Sequence, residues 1–250
     1  MEEKIRSLLA EFKTIASHPE QAVADHLAQT GKGAIGMMPI YAPEELVHAT
    51  GFLPVGLWGG SRPVAKARTY LPPFACSIMQ QVMELECEGV YDGLAAVVFS
   101  VPCDTLKCMS QKWKGTSPVL VFTHPQNRGL EAANRFLERE YAILQEKLET
   151  ITGVKITNAA LENSIRIYNE NRAAMREFSA LAAQYPQVIS AVDRHAVFKA
   201  RLFLEKSRHT AMVRELMEAV RASEPQPWTG KRVVVTGILL EPDGLLELFD

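Results

Sequence analysis

The sequence predicts an α/β fold in which a parallel, doubly wound sheet is followed by a helical segment and by the start of a second α/β domain. Three observations predict it. Short apolar runs alternate with helical patterns between Gly33 and Thr123. Helical periodicity alone continues from Glu131 to Val220. A last apolar run, RVVVTG, begins at Arg232 and is followed by a turn and a short helical pattern.

Four apolar runs predict the strands of a first α/β domain, which we assign to residues 33–125. They are GAIGMMPI (33–40), FLPVGLWG (52–59), LAAVVFSV (94–101) and PVLVFT (118–123). Between them, Gly51 and Gly89 suit the positions after helix ends, and Ser77 with Gln80 predicts a capping box at a helix start. Strands joined by helices run parallel, so a Rossmann-like or flavodoxin-like sheet is expected.

The remaining segments are predicted mainly as helices. Residues 1–32 should form N-terminal helices and residues 126–224 a helical segment, with caps at Thr157 and Ser190. Residues 231–250 read as the start of a second α/β domain, with RVVVTG as a buried strand and LLELF as a helix. One strand and one short helix cannot cover both faces of a sheet, so we expect this domain to be incomplete in the chain.

Composition and charge exclude several classes of function. The formal net charge of -2 provides no field that would attract nucleic acid or an anionic membrane. The charged, amphipathic start MEEKIRSLLAEFKTIA is unlike a signal peptide, and no apolar run is long enough to span a bilayer. We therefore predict a cytoplasmic protein whose four cysteines stay reduced and act either as small apolar residues or as metal ligands.

Two of the cysteines occupy matching local settings. Cys76 in PPFAC and Cys103 in VPC each follow a proline-containing turn and directly precede a predicted helix cap, at Ser77 or Asp104. Backbone N–H groups at a helix N-terminus favour the thiolate, which is the form that binds metal. Cys87 and Cys108 fall inside predicted helices and are interpreted as small hydrophobic residues.

The residues around these cysteines resemble a known family. YAPEELVHATGFLPVGLWGG and PPFACSIMQQVMELECEGVYDGLAAVVFSVPCDTLKCM are similar to the 2-hydroxyacyl-CoA dehydratase D-component family, which includes benzoyl-CoA reductase subunits. The similarity extends to VVVTG and PDGLLELFD and so covers nearly the whole chain. It implies two tandem α/β domains holding a 4Fe-4S cluster through three cysteines. The match places ligands at Cys76 and Cys103, and it implies a third ligand beyond residue 250.

The resemblance also implies a reaction and partners. A lyase of this kind removes water from a 2-hydroxyacyl-CoA through a ketyl radical, using an electron from a separate ATP-hydrolysing activator, and it works beside a homologous second subunit. The sequence carries no Walker loop of its own. Two alternatives stay open: an oxidoreductase subunit acting on an aromatic acyl-CoA of the benzoyl-CoA type, and a non-catalytic subunit that relays an electron or serves as a scaffold.

Glu45 is the candidate catalytic residue. It lies in PEEL, at the start of the helix after the first strand, and the resemblance implies that it contacts substrate. Its alternative role is structural, because an acidic residue in a first helical turn stabilises the helix by about 0.3 to 1 kcal/mol. His48 and His124 are interpreted as structural. Five basic residues are placed where they could meet the phosphates of coenzyme A. We interpret them as solvated surface residues: Lys66, Arg68, Lys107, Lys112 and Lys114.

Overall fold

The chain forms two structural units. A computed structural model describes residues 2–58, 62–225, 228–236, 241 and 243–249. The sheet unit comprises Val23–Ile165, and the helical unit comprises Met1–Ala22 together with Arg166–Asp250. Within the described residues, none of the helices is long and apolar enough to cross a membrane.

The sheet unit contains four parallel strands. They are β1 (Ala34–Met37), β2 (Leu53–Gly56), β3 (Val97–Val101) and β4 (Val119–Thr123). The spatial order is β2-β1-β3-β4, and every neighbouring pair is parallel. Each strand falls inside one of the predicted apolar runs, so the α/β fold class is confirmed. The chain turns from one side of β1 to the other between β2 and β3, which is the kind of switch point where open α/β sheets bind ligands.

Helices connect the strands and continue after the last one. They are α1 (Glu2–Ser17), α2 (Pro19–Thr30), α3 (Glu44–His48), α4 (Ser77–Cys87), α5 (Asp104–Lys112), α6 (Glu131–Thr152), α7 (Asn158–Ala182), α8 (Ala191–Ala200), α9 (Lys206–Arg221) and α10 (Asp243–Leu246). Single 3-10 turns occur at Lys66–Thr69 and Glu247–Phe249. Gly51 and Gly89 adopt φ of 80° and 78° after helix ends, as expected of residues without a Cβ.

Helices pack on both faces of the sheet, which explains why β1, β2 and β3 are buried apolar runs, whereas alternate residues of β4 are exposed. Alternate residues of β3 enter different cores: Val97 and Phe99 pack in one and Val98 in the other. The first core, which we call the α4–α5 face, includes Met79, Val82, Met83, Leu106 and Met109. The second, the α3–α6 face, includes Leu46, Val47, Leu144 and Leu148. Burying each such side chain contributes about 1.5 to 3 kcal/mol.

The start of α4 differs from the prediction. The residue at the N-cap is Cys76, with Ser77 as the first helical residue, and no side chain caps the helix. The predicted capping box of Ser77 and Gln80 is therefore wrong, and so is the predicted cap at Asp104, because Cys103 is the N-cap of α5. Gln80 instead donates its side-chain amide to carbonyl groups of the preceding loop, at Ala75 and Pro73. The predicted caps of α7 and α8 are confirmed: Thr157 accepts the Ala160 N–H, and Ser190 forms a capping box with Asp193.

A buried polar cluster lies in the helical unit. His209 is fully buried in α9, where its Nδ1 accepts from Asn171 at 2.9 Å and its Nε2–H donates to the Val197 carbonyl at 3.0 Å. These partners fit the neutral ring. Burial, together with the nearby charges of Lys206 and Arg201, lowers the pKa of His209 to about 3, although the Val197 hydrogen bond opposes that shift.

The predicted strand RVVVTG is wrong for residues 232–236. These residues form no strand, and Val234 is 94% exposed. A strand is stabilised only when its backbone groups pair with a neighbour, and among the described residues none pairs with this segment. Gly237 lies outside the described residues. The predicted LLELF helix is confirmed as α10 and the 3-10 turn that follows it.

Candidate functional site

Cys76 and Cys103 occupy the same position in their helices. Each is an N-cap residue with extended backbone, at φ -62°, ψ 146° for Cys76 and φ -147°, ψ 165° for Cys103. The carbonyl of Cys76 accepts the first helical N–H from Gln80 at 3.0 Å, and that of Cys103 accepts from Lys107 at 3.1 Å. Both residues are exposed, and neither side chain caps its helix. Both thiols are therefore accessible to an external group.

The two cysteines also lie at the same edge and on the same face of the sheet. Cys103 follows β3 within two residues, at the carboxyl edge of the sheet. The C-terminus of α4 leads back to the start of β3, and its 11 residues span about 16 Å, so its N-terminus with Cys76 points towards the same carboxyl edge. Both α4 and α5 pack on the α4–α5 face and contact each other. This is the arrangement that two ligands of one group would require.

Cys87 and Cys108 are placed differently. Cys87 is the last residue of α4, at the far end of that helix from Cys76, and is partly buried. Burial raises the pKa of the Cys87 thiol, and the neighbouring carboxylates of Glu84 and Glu86 raise it further. Cys108 is exposed in the middle of α5. Neither lies at a helix start.

The donor set is incomplete for an iron–sulfur cluster. Four-iron clusters are held by three or four ligands, mostly thiolates. In the part of the chain that the structure describes, no group of three or more His, Cys, Asp or Glu side chains could hold a metal ion. Among the described cysteines, Cys76 and Cys103 are exposed at helix starts, so this edge offers two thiolates, and further ligands of any such cluster would have to come from elsewhere.

The loop that leads into Cys76 is fastened to α4 by a buried carboxylate. Glu84 is only 2% exposed and accepts backbone N–H groups of Ala65 at 3.0 Å, Lys66 at 3.1 Å and Ala67 at 2.8 Å. Burial alone would raise the pKa of Glu84, but these three hydrogen bonds and the Lys66 charge outweigh it and lower the pKa. The carboxylate therefore stays charged and satisfies the start of the 3-10 turn.

Gln80 fastens the end of the same loop. Its Nε2 donates to the Ala75 carbonyl at 2.6 Å and to the Pro73 carbonyl at 3.3 Å. Ala75 itself is buried in the α4–α5 core, while Phe74 before it is 89% exposed. Gln80 was predicted to form a capping box with Ser77 rather than these loop contacts, and Glu84 was not singled out, because a polar residue on a helix is usually solvated.

Glu45 lies at the carboxyl edge but on the other face of the sheet. It is the second residue of α3, partly buried, and α3 packs on the α3–α6 face. Burial raises the pKa of Tyr141 in α6, and the charge of the Glu45 carboxylate raises it further. The structure thus brings Glu45 to the same edge as the cysteines, but from the opposite face.

An aromatic cluster follows β4 at this edge. The ring of His124 lies 5.0 Å from that of Tyr41 and 5.6 Å from that of Phe122, and Arg128 stacks on Tyr41 at 4.9 Å. Tyr41 has a left-handed φ of 70°, which is uncommon for a residue with a side chain and was not predicted. His48 bonds Ser164 at 2.8 Å through Nδ1, as suits a structural residue.

Two of the basic residues, Lys66 and Lys114, lie near Cys87 rather than near Cys76. Lys66 and Lys114 line a cleft of about 380 Å³ with Tyr70, Glu86 and Cys87, at the C-terminal end of α4. Lys114 stacks on Tyr70 at 4.8 Å. This cleft lies at the opposite end of α4 from Cys76.

Comparison with known proteins identifies the family. Residues 39–250 match the model of the 2-hydroxyglutaryl-CoA dehydratase D-component family. The chain belongs to this family. The resemblance carried by the segments around Cys76 and Cys103 is therefore confirmed at the level of the family.

Individual dehydratase D-component relatives match over nearly the whole chain. The beta subunit of lactoyl-CoA dehydratase from Anaerotignum propionicum is 65% identical over 99% of this chain. The beta subunit of (R)-phenyllactyl-CoA dehydratase from Clostridium sporogenes is 44% identical over 96%. The beta subunit of (R)-2-hydroxyglutaryl-CoA dehydratase from Acidaminococcus fermentans is 38% identical over 98%. The chain spans 65% to 66% of the length of these relatives.

Proposed function

We propose that this chain is part of the beta subunit of a 2-hydroxyacyl-CoA dehydratase, a lyase that converts a 2-hydroxyacyl-CoA to a 2-enoyl-CoA. The hydroxyl leaves from C2 and a hydrogen from C3, so the overall reaction is redox-neutral and the electron that initiates it is returned. The observation that carries the proposal is the 65% identity to a lactoyl-CoA dehydratase beta subunit.

Cys76 and Cys103 are the residues that would hold the cofactor, a 4Fe-4S cluster. Support comes from their matched N-cap positions at one edge and one face of the sheet, where backbone N–H groups suit an anionic ligand. When bound, such a cluster supplies one-electron redox chemistry and a Lewis-acidic iron. Because two thiolates hold it poorly, we expect a third cysteine ligand from the part of the subunit beyond residue 250.

Other residues of the chain would serve binding and orientation. The Glu45 carboxylate would contact the substrate at the carboxyl edge, held there by the first turn of α3. The cores beneath that edge are apolar, and a polar contact made beside apolar, water-poor surroundings is stronger than one in water. The loop contacts of Gln80 and Glu84 would keep the Cys76 turn in place before any cofactor binds.

The proposed partners are a homologous second dehydratase subunit and an ATP-hydrolysing activator in the cytoplasm. The relatives are named as beta subunits, which supports a partner subunit. The activator would deliver the electron that the proposed dehydration needs to begin. Neither nucleic acid nor a membrane is proposed as a partner, in keeping with the net charge of -2.

Reduction of an aromatic acyl-CoA is the rival activity. A benzoyl-CoA reductase polypeptide from Thauera aromatica is 30% identical to the chain, well below the 38% to 65% of the dehydratase beta subunits. The identities therefore favour dehydration. A subunit that only relays an electron or serves as a scaffold would show the same identities and has to be separated by experiment.

The test is turnover by the complete heterodimer, purified without oxygen and supplied with its activator, ATP and a low-potential reductant. Lactoyl-CoA and benzoyl-CoA are offered in parallel. We expect ATP-dependent formation of the enoyl-CoA and no reduction of the aromatic ring. Ring reduction without dehydration would overturn the proposal. Unchanged turnover after replacement of Cys76 or Cys103 with Ser would indicate a scaffold.

A further inference from the structure

Gln80 controls the backbone on both sides of Cys76. Its own N–H donates to the Cys76 carbonyl at 3.0 Å, and its side-chain Nε2 donates to the Ala75 carbonyl at 2.6 Å. The second hydrogen of the amide points towards the Pro73 carbonyl at 3.3 Å. The Gln80 side chain therefore fixes the peptide group before Cys76 and another in the same turn, while the usual helical bond of the Gln80 N–H fixes the peptide group after Cys76.

Fixing two flanking peptide groups determines where a side chain points. A peptide group is planar, so the orientation of its carbonyl fixes the whole unit. With the units before and after Cys76 both held, φ and ψ of Cys76 are set, and the direction of its Cα–Cβ bond follows from tetrahedral geometry. The burial of Ala75 in the core below provides a fixed base for this turn.

Cys103 has no equivalent support. The residue one turn further on is Lys107, whose N–H makes the usual helical bond by donating to the Cys103 carbonyl at 3.1 Å. In the described part of the chain, no side chain donates to the carbonyl of Pro102. The ring of Pro102 restricts the backbone there instead. The two cysteines are thus oriented by different means, and only the Cys76 turn depends on a side chain that can be exchanged.

We propose that Gln80 is a positioning residue for Cys76, whose side-chain amide directs Cys76 towards the cofactor by holding the carbonyls of Ala75 and Pro73 in the preceding turn. The inference rests on the proposed function, in which Cys76 is a cluster ligand. Replacing a residue that orients a metal ligand through hydrogen bonds typically changes the metal affinity by about 10- to 100-fold. Gln80 therefore matters for the retention of the cluster rather than for the stability of the fold.

Gln81 provides a matched control within α4. It is the same residue type, and its side-chain amide also donates to the loop, but to the Arg62 carbonyl, far from the Cys76 turn in sequence. Replacing Gln81 with Ala removes one loop contact and leaves the peptide groups around Cys76 unchanged. It separates a general loosening of the loop from the specific loss of orientation at Cys76.

The experiment uses the complete protein with its partner subunit, purified without oxygen, in the wild-type form and as Gln80→Glu, Gln80→Lys and Gln81→Ala. Glu has the shape of Gln but donates no hydrogen at neutral pH, whereas Lys restores donors to the carbonyls. The readouts are the rate of iron transfer to a chelator, the electron paramagnetic resonance spectrum of the reduced cluster, and the unfolding midpoint by circular dichroism.

We expect Gln80→Glu to release iron about 10-fold faster with a changed spectrum, and Gln80→Lys to recover most of the wild-type rate. Gln81→Ala should match the wild type in the rate of iron release and in the spectrum. Equal release by Gln80→Glu and the wild type, or equally fast release by Gln81→Ala, would overturn the positioning role. If wild-type iron content does not depend on Cys76, the proposed function fails instead, and the positioning role fails with it.

Discussion

Replacing Glu84 with Gln should destabilise the sheet unit by about 3 kcal/mol. The carboxylate accepts three backbone N–H groups, two at Oε2 and one at Oε1. A neutral amide keeps one acceptor oxygen and turns an NH2 group towards the remaining donor. Leaving one backbone N–H unpaired costs about 1 to 3 kcal/mol, and the two remaining bonds each lose about 1 kcal/mol because they are no longer charge-assisted. The Lys66 N–H is partly exposed, so leaving it unpaired costs less. The total loss of unfolding free energy therefore lies near the lower end of its range, at about 3 kcal/mol.

Glu88 is the control for this substitution. It lies just beyond the C-terminus of α4 and forms an ion pair with Arg62 at the surface, so Glu88→Gln should cost less than about 1 kcal/mol. Equilibrium unfolding in urea, followed by circular dichroism, gives both values. Equal stabilities of Glu84→Gln and the wild type would refute the reasoning that the buried carboxylate holds the loop.

The Glu84 contribution should also depend on pH. Because the folded-state pKa of Glu84 is lowered, the stabilisation is fully present above the ordinary carboxyl pKa and is lost as pH falls through the lowered value. Glu84→Gln should therefore show a smaller loss of stability under acid than the wild type.

Two further predictions concern the helical unit and the core of the sheet. His209 has a folded-state pKa of about 3, below the ordinary imidazole value, so the unfolded chain binds more protons between these limits and stability falls as pH decreases below about 6.5. The loss should reach about 2 kcal/mol at pH 5. Urea unfolding from pH 5 to 7.5 measures it, and a flat profile that His209→Gln does not alter would contradict it. Phe99 is fully buried in β3, so Phe99→Ala should cost about 3 to 5 kcal/mol. Phe74 is 89% exposed, so Phe74→Ala should lower the free energy of unfolding by less than about 0.5 kcal/mol. Similar losses at both positions, measured by denaturant unfolding, would show that the core assignment is wrong.

The sequence predicted the sheet because strands buried on both faces must be apolar throughout. LAAVVFSV stands out for that reason, and β3 lies within it. PVLVFT contains β4, but this strand is buried on one face only, with Leu120 and Phe122 buried and Val121 exposed. The N-terminal helix positions of Cys76 and Cys103 followed from proline-containing turns ahead of helical patterns. These patterns depend on residues that are close in sequence, so they can be interpreted without knowing the rest of the fold.

The features that sequence reasoning missed depend on where the chain passes in space. Gln80 and Glu84 hold parts of the loop before Cys76 only because this loop returns along α4, and nothing in the helix pattern records that path. The wrong prediction of a strand at RVVVTG has a similar cause. Its valines have strand propensity, but the described residues around it offer no strand edge with which it could pair. The N-cap of α4 is Cys76 rather than Ser77, because the extended backbone of the preceding turn ends at Cys76 and Ser77 is already helical.

The most direct test of the account is the iron and acid-labile sulfide content of the complete protein with its partner subunit, purified without oxygen. Single Ser replacements are compared at Cys76, Cys103, Cys87 and Cys108, with the spectrum of the reduced cluster recorded for each. We expect the cluster assigned to this subunit to be lost or altered on replacement of Cys76 or Cys103 and to be retained on replacement of Cys87 or Cys108. Retention of that cluster without Cys76 or Cys103, or its loss without Cys87 or Cys108, would contradict the account.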